Sequence, residues 1–264
     1  MLKLSANLSM LYPELPFLDR FARAARDGFK AVEVQFPYAW AAAEIRARLD
    51  DSGLALVLHN LPAGNWDAGE RGIACHPGRQ QEFRDGVAQG IAYAQALGTS
   101  QLNCLSGRAP PDVSDTELRR TFVANLRFAA GATQAAGLRL LIEPVNTRDV
   151  PGAWLCGSAQ ALDVLDEVGA DNAFLQYDVY HMQRMEGELA ATMARHLARI
   201  GHIQISDNPG RHEPGSGEID FAFLFRHLQR IGYSGWIGCE YNPAGDTTLG
   251  LAWRERLLPA GSAP

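Results

Sequence analysis

Cysteine is scarce: Cys75, Cys104, Cys156 and Cys239 are four in 264 residues, widely scattered and without a CxxC pair. That argues against a disulfide framework and against a Cys-type zinc site; three of the four lie in or near apolar stretches, as buried reduced thiols do. Long apolar runs are missing too. A membrane-spanning helix needs about 18 or more consecutive apolar residues, so none is expected. The opening "MLKLSANLSMLYPELPF" has one early lysine and no long apolar core, so it does not read as a secretory signal, and a cytoplasmic location is expected. Excess positive charge is also absent. The net charge of −6 argues against nucleic acid or an anionic membrane as a partner. No Gly-rich phosphate turn follows the first apolar run, where "ANLSMLYPELP" stands instead, and a dinucleotide-binding open sheet would want one. No composition break, low-complexity stretch or short-period repeat divides the chain.

What is present is a rhythm. Hydrophobic residues make up 47% and charged residues 20%, enough apolar material for one large core. Short β-rich runs alternate with longer Ala/Leu/Arg-rich runs of helical period. The β-rich runs are "KLSANLS", "AVEVQF", "LALVLHNL", "SQLNCL", "RLLIEPV", "AFLQYDVYH", the run opening at Gly201 ("GHIQIS") and "GWIGCEY". Gly28 and Gly53 read as helix stops, and Ser158 as a helix N-cap. Eight strand–helix units in a chain of this length predict an α/β fold, a single (β/α)₈ TIM barrel over residues 1–258, with 259–264 as a flexible tail.

Active sites of such barrels lie at the C-terminal ends of the strands. The polar residues near those ends are Asn7, Gln35, His59, Asn103, Glu143, Asp178, Gln204 and Glu240. A carboxylate inside an apolar β-run is costly unless it is paired or metal-bound. Any one of Glu143, Asp178 and Glu240 is compatible with strand-end solvation or a salt bridge. Three in register, with Gln204 between them, point to a divalent ion held by Glu143, Asp178, Gln204 and Glu240. Oxygen ligands favour Mg²⁺ or Mn²⁺ over zinc, and an octahedral ion would keep about two positions for a chelating substrate. Glu143 and Glu240 then make a pair able to move a proton between adjacent carbons. A fourth carboxylate in place of Gln204 would weaken the Lewis acid and repel an anionic substrate.

The segments "IEPVN", "QYDVYHMQ", "GHIQISDNPGRHEPGSGEIDF" and "GCEYNP", with "LPAGNWDAGERGIA" after the third strand, resemble the hydroxypyruvate isomerase family of xylose-isomerase-like barrels. The resemblance covers nearly the whole chain. It implies the same four ligands and the same proton-transfer pair, acting on hydroxypyruvate or on its four-carbon homologue, 2-oxo-tetronate. It also implies that His181 contacts substrate oxygens. Arg211, Arg71 and Arg108 are rival candidates for gripping the substrate carboxylate, since a guanidinium binds it bidentately. His59 either lines the pocket or is a satisfied core histidine, and Trp66 and Trp154 either cover the site or pack on neighbours. Barrels of this kind often form dimers or tetramers. The competing readings are a ketose 3-epimerase of neutral sugars, a His-rich multi-zinc endonuclease for damaged DNA, and a barrel that binds without catalysis.

Overall fold

The strands alternate apolar residues with small or polar ones, and the helices carry apolar stripes that need a sheet to cover them. In α8 (Phe221–Arg230) the buried residues Phe221, Leu224, Phe225 and Leu228 follow the helical spacing i, i+3, i+4, i+7. The structure, a computed structural model, describes residues 2–259. The expected tail, 259–264, lies outside the described residues from 260 onward.

The order is β1 (Lys3–Asn7), α1 (Phe17–Arg26), β2 (Ala31–Val34), α2 (Ala42–Ser52), β3 (Ala55–Asn60), α3 (Gln80–Leu97), β4 (Gln101–Cys104) and α4 (Asp115–Ala135). It continues with β5 (Arg139–Ile142), α5 (Ser158–Val168), β6 (Ala173–Asp178), α6 (Val179–Met185), α7 (Leu189–His196), β7 (Ile200–Ile205), α8, β8 (Trp236–Cys239), α9 (Thr247–Gly250) and α10 (Trp253–Leu257). All neighbouring strands pair in parallel, and β1 closes on β8, so the sheet is a closed eight-stranded barrel. No helix among the described residues is long and apolar enough to cross a membrane. All four cysteines are free, three of them buried.

Helix ends follow the expected chemistry in part. Gly53, Gly98 and Gly169 close α2, α3 and α5 in the left-handed conformation that glycine adopts without strain. Ser158 does not cap α5. Gly157 holds the N-cap position, and Ser158 Oγ donates instead to Glu186 Oε2 at 2.7 Å. The sixth strand is shorter than "AFLQYDVYH" suggests. Asp178 ends it by capping α6, its Oδ1 accepting the Tyr180 N–H at 2.8 Å, so His181 sits in the first turn of a helix.

Two cores result. The larger lies between sheet and helices and takes Leu4, Ala6, Val32, Val34, Leu140 and Ile142. A smaller one of Ala31, Val57, Leu58 and Leu141, with Phe174 and Trp236 packed against it, plugs the barrel. The polar alternates, Ser5, Asn7, Glu33, Gln176 and His202 among them, are buried as well. Their hydrogen bonds to one another place them along the barrel axis.

Candidate active site

Every second strand residue faces the axis, so the top of the barrel collects one polar side chain from each of several strands. On one side stand amides. Asn7 Nδ2 and Gln35 Nε2 donate to Glu240 Oε1, both at 2.9 Å, and Asn103 Nδ2 donates to Glu143 Oε2 at 2.7 Å and to Asn60 Oδ1 at 3.1 Å. On the other side stand the acids Glu143, Asp178 and Glu240, each 6% exposed or less.

These carboxylates crowd one another. Burial pushes Glu143 well above the usual carboxyl range, and the charges of Glu240 and Asp178 add to the shift. Burial raises Glu240 to about 7, against the pull of Arg211 and with Asp178 and Glu33 adding. Burial also raises Asp178, opposed by Arg211 and by the backbone N–H groups of α6. Arg211 Nη2 lies 2.7 Å from Glu240 Oε2 and 3.8 Å from Asp178 Oδ2. Despite burial, these acids hold its guanidinium above the usual range.

The loop carrying Arg211 is built around one carboxylate. Asp207 accepts the backbone N–H groups of Asn208, Gly215, Gly217 and Ile219, at 2.8–3.1 Å. A Cβ on Gly217 would overlap Asp207 and the Asn208 carbonyl. Arg211 itself is left-handed, φ 55°, a strained conformation for a residue with a side chain.

Glu143, Asp178 and His181 bring atoms of metal-ligand type within 4.8 Å of one another, which marks where a metal ion could sit. Asp178 Oδ2 is buried and without a hydrogen-bond partner, which suits a cation and not a neutral core. The His181 ring is fixed from behind. Asn146 Oδ1 accepts the N–H groups of Arg148 and Asp149, so its Nδ2 must be the donor at 2.7 Å to His181 Nδ1. The Asn146 N–H also donates to Nδ1, at 3.3 Å. Burial and Arg211 keep the ring's pKa well below its usual value, so it is neutral, and Nε2 carries the proton. That N–H faces Glu143 Oε1 at 3.9 Å and Asp178 Oδ2 at 3.6 Å.

Gln204 pairs in register with Asp178. Its Nε2 donates to Glu33 Oε1 at 2.7 Å, and its Oε1 accepts from Gln176 Nε2 at 2.6 Å. A carbonyl oxygen has two lone pairs, so one stays available to a further partner.

A cavity of about 510 Å³ opens at this end of the barrel, lined by Gln35, Asn60, Trp66, Arg71, Glu143, His181, Arg211 and Glu240 among others. Arg71 stacks over Trp66 at 4.0 Å. Arg108 does not line this cavity; its carbonyl accepts from His76 Nε2 at 2.7 Å. Nor does His59, which is buried against Tyr38 and donates from Nδ1 to the Asn60 carbonyl at 3.1 Å. The register of β3 shifts by one residue opposite Val32 and Glu33, and Asn60, not His59, meets the cavity. Trp154 is buried on Phe122 and bonds Asp115, serving the helical layer. Glu33 is the residue that the sequence reading passed over. Its signal, a lone acid inside "AVEVQF", is the same as for Glu143 and Glu240.

Comparison with known proteins follows the same lines. The model of the xylose isomerase-like TIM barrels matches residues 21–257. The chain is 52% identical to the hydroxypyruvate isomerase of Escherichia coli over 255 residues, which span 97% of this chain and 99% of that one. It is 48% identical to the 2-oxo-tetronate isomerase of Cupriavidus necator over 256 residues, spanning 97% and 98% of the two. A crystal structure from Brucella melitensis, described as an AP endonuclease of family 2, superposes with a TM-score of 0.95 at 41% identity, covering 98% of this chain and all of that one.

Proposed function

The chain belongs to the hydroxypyruvate isomerase family of xylose isomerase-like TIM barrels, and we propose that it is a metal-dependent aldose–ketose isomerase of small 2-oxo acids. Its substrate is hydroxypyruvate, interconverted with 2-hydroxy-3-oxopropanoate (tartronate semialdehyde), or the four-carbon homologue 2-oxo-tetronate. One observation carries the reading. Three buried carboxylates with raised proton affinity converge beside a cavity that two arginines, Arg71 and Arg211, also line.

The donor set fits a hard divalent ion, Mg²⁺ or Mn²⁺: oxygens predominate, Asp178 Oδ2 is unpartnered, and the carboxylates repel one another without a cation. Glu143, Asp178, Gln204 and Glu240 would hold it, with His181 beside them. When bound, the ion supplies Lewis acidity for the negative oxygen that develops as a carbon-bound proton leaves.

The remaining chemistry belongs to the side chains. One glutamate of the pair Glu143 and Glu240 takes a proton from C3 of the 2-oxo acid, and the resulting enediolate is protonated at C2 by the other. The hydroxyl proton passes from O3 to O2, so the product is an isomer and nothing is lost or gained. Asn103 holds one oxygen of Glu143 and leaves Oε1 facing the site; Asn7 and Gln35 do the same for Glu240, whose Oε2 is shared with Arg211. A substrate carboxylate competing for Arg211 frees Glu240 Oε2 to act. His181 Nε2–H is a donor aimed where the substrate oxygens lie.

Two guanidiniums at the cavity weigh against the neutral-sugar epimerase, and a single histidine in the metal-binding group weighs against a His-rich endonuclease. The test is a substrate panel with Mg²⁺ or Mn²⁺ present: hydroxypyruvate, 2-oxo-tetronate and several ketoses, with products resolved by chromatography. Turnover of an acid is expected. Epimerisation of a ketose with neither acid turned over would overturn the proposal.

A further inference from the structure

Below the carboxylates, one acid sits where no solvent reaches. Glu33 is fully buried and accepts four side-chain hydrogen bonds, two on each oxygen. Ser5 Oγ and His202 Nε2 donate to Oε2 at 3.2 and 2.8 Å, and Asn7 Nδ2 and Gln204 Nε2 donate to Oε1 at 3.0 and 2.7 Å. Two of these donors lead upward. Asn7 uses the same nitrogen to reach Glu240, and Gln204 is the amide expected on the metal.

The fold makes room for this carboxylate. A Cβ on Gly238, in β8, would overlap both oxygens and the carboxyl carbon of Glu33. Gly238 has no left-handed backbone that would itself call for glycine. Glu33 could retreat from a methyl group there only by giving up its bonds.

We infer that Glu33 is a positioning residue that orients the Gln204 amide for metal binding, acting from beneath the site without touching substrate or ion. The physical reason is the acceptor-only character of an ionised carboxylate. It admits only the NH₂ end of Gln204, which turns the amide oxygen away toward Gln176 and Asp178's strand. A glutamine at position 33 offers both a donor and an acceptor, so the Gln204 amide loses its fixed sense.

The inference rests on the reading of Gln204 as a ligand, and a double-mutant cycle on Mn²⁺ affinity separates the two. Free Mn²⁺ is measured by electron paramagnetic resonance at fixed pH for wild type, Glu33→Gln, Gln204→Met and the double variant, with circular dichroism confirming the fold. Glu33→Gln is expected to weaken Mn²⁺ about 10- to 100-fold, the range seen when a group supporting a ligand is removed. In the Gln204→Met background the same change should cost less than about threefold, because nothing is left to orient. Glu33→Gln binding like wild type, or an equal loss in both backgrounds, overturns the inference and leaves the ligand reading standing. Gln204→Met binding like wild type overturns both. Should Glu33→Gln not fold, Gly238→Ala displaces the carboxylate without altering it and is expected to weaken Mn²⁺ in the same direction; unchanged affinity there overturns the inference.

Discussion

The two halves of the barrel mouth do different work. β1 to β4 and the residues just past them bring amides there, Asn7, Gln35, Asn60 and Asn103; β5 to β8 and the residues just past them bring Glu143, Asp178, Gln204 and Glu240, three of them acids. Neutral donors on one half hold Glu143 and Glu240 of the other at single oxygens and leave their partner oxygens to face the cavity. An all-acid mouth would repel itself and any anionic substrate, and an all-amide mouth would neither hold a hard cation nor move a proton. Charge is therefore concentrated on one arc and orientation supplied from the opposite arc. Glu33 is the exception, an acid on the amide side that lies one layer deeper.

Breaking the acid half should have the largest effect. Glu143→Gln and Glu240→Gln are each expected to cut isomerisation by at least about 10²- to 10⁴-fold, the usual share of general acid–base catalysis, with the barrel still folded by circular dichroism. Near-normal turnover in either variant would remove the two-base scheme. Gln204→Glu sharpens the contrast by adding a fourth acid. It should keep the fold and lower turnover of the carboxylated substrate about tenfold, and a fully active variant would show that charge at this position is immaterial.

Metal affinity should depend on pH in a stated direction. Glu143 is pushed well above the carboxyl range and Glu240 up to about 7, and a protonated carboxyl is a poor ligand. Mn²⁺ affinity, measured calorimetrically at pH 6, 7 and 8, should therefore rise with pH across that range. EDTA should abolish turnover, and Mg²⁺ or Mn²⁺ should restore it; activity indifferent to both would end the metal role.

The smallest effect on catalysis is expected at His59, away from the cavity. Burial holds its pKa at about 4, below the ordinary value of 6.5. The unfolded chain binds the proton more readily, so stability is full above pH 6.5 and falls as pH drops toward 4. Two to three pH units correspond to roughly 3 kcal/mol. His59→Asn keeps a donor for the Asn60 carbonyl and cannot titrate, so its melting temperature should flatten across that acid range while turnover changes least.

Several of these contrasts are legible in the sequence. The alternation of short apolar runs with helical ones predicts a closed α/β barrel, because eight such units in 264 residues leave few other ways to bury both faces of every strand. Acids within "LLIEPV", "LQYDVYH" and "GWIGCEY" stand out since an unpaired buried charge is expensive. Glu33 carries the same signal but lies short of its strand's end, where a search for strand-end residues does not look. His59 and Asn60 are adjacent, and only the register shift of β3 decides which one meets the cavity. His181 closes the β-rich run "AFLQYDVYH" in the sequence, whereas in the fold Asp178 caps a helix that takes His181 into its first turn.

The sequence by itself determined the fold and the kind of chemistry: periodicity sets which face of each element is apolar, and residue type sets what a buried group must find as a partner. Tertiary structure alone decided which partners were found. Glu33 meets His202 across 169 positions and Asn7 meets Glu240 across 233. No local rule reaches that far, because closing the barrel, not chain proximity, brings those side chains to one axis.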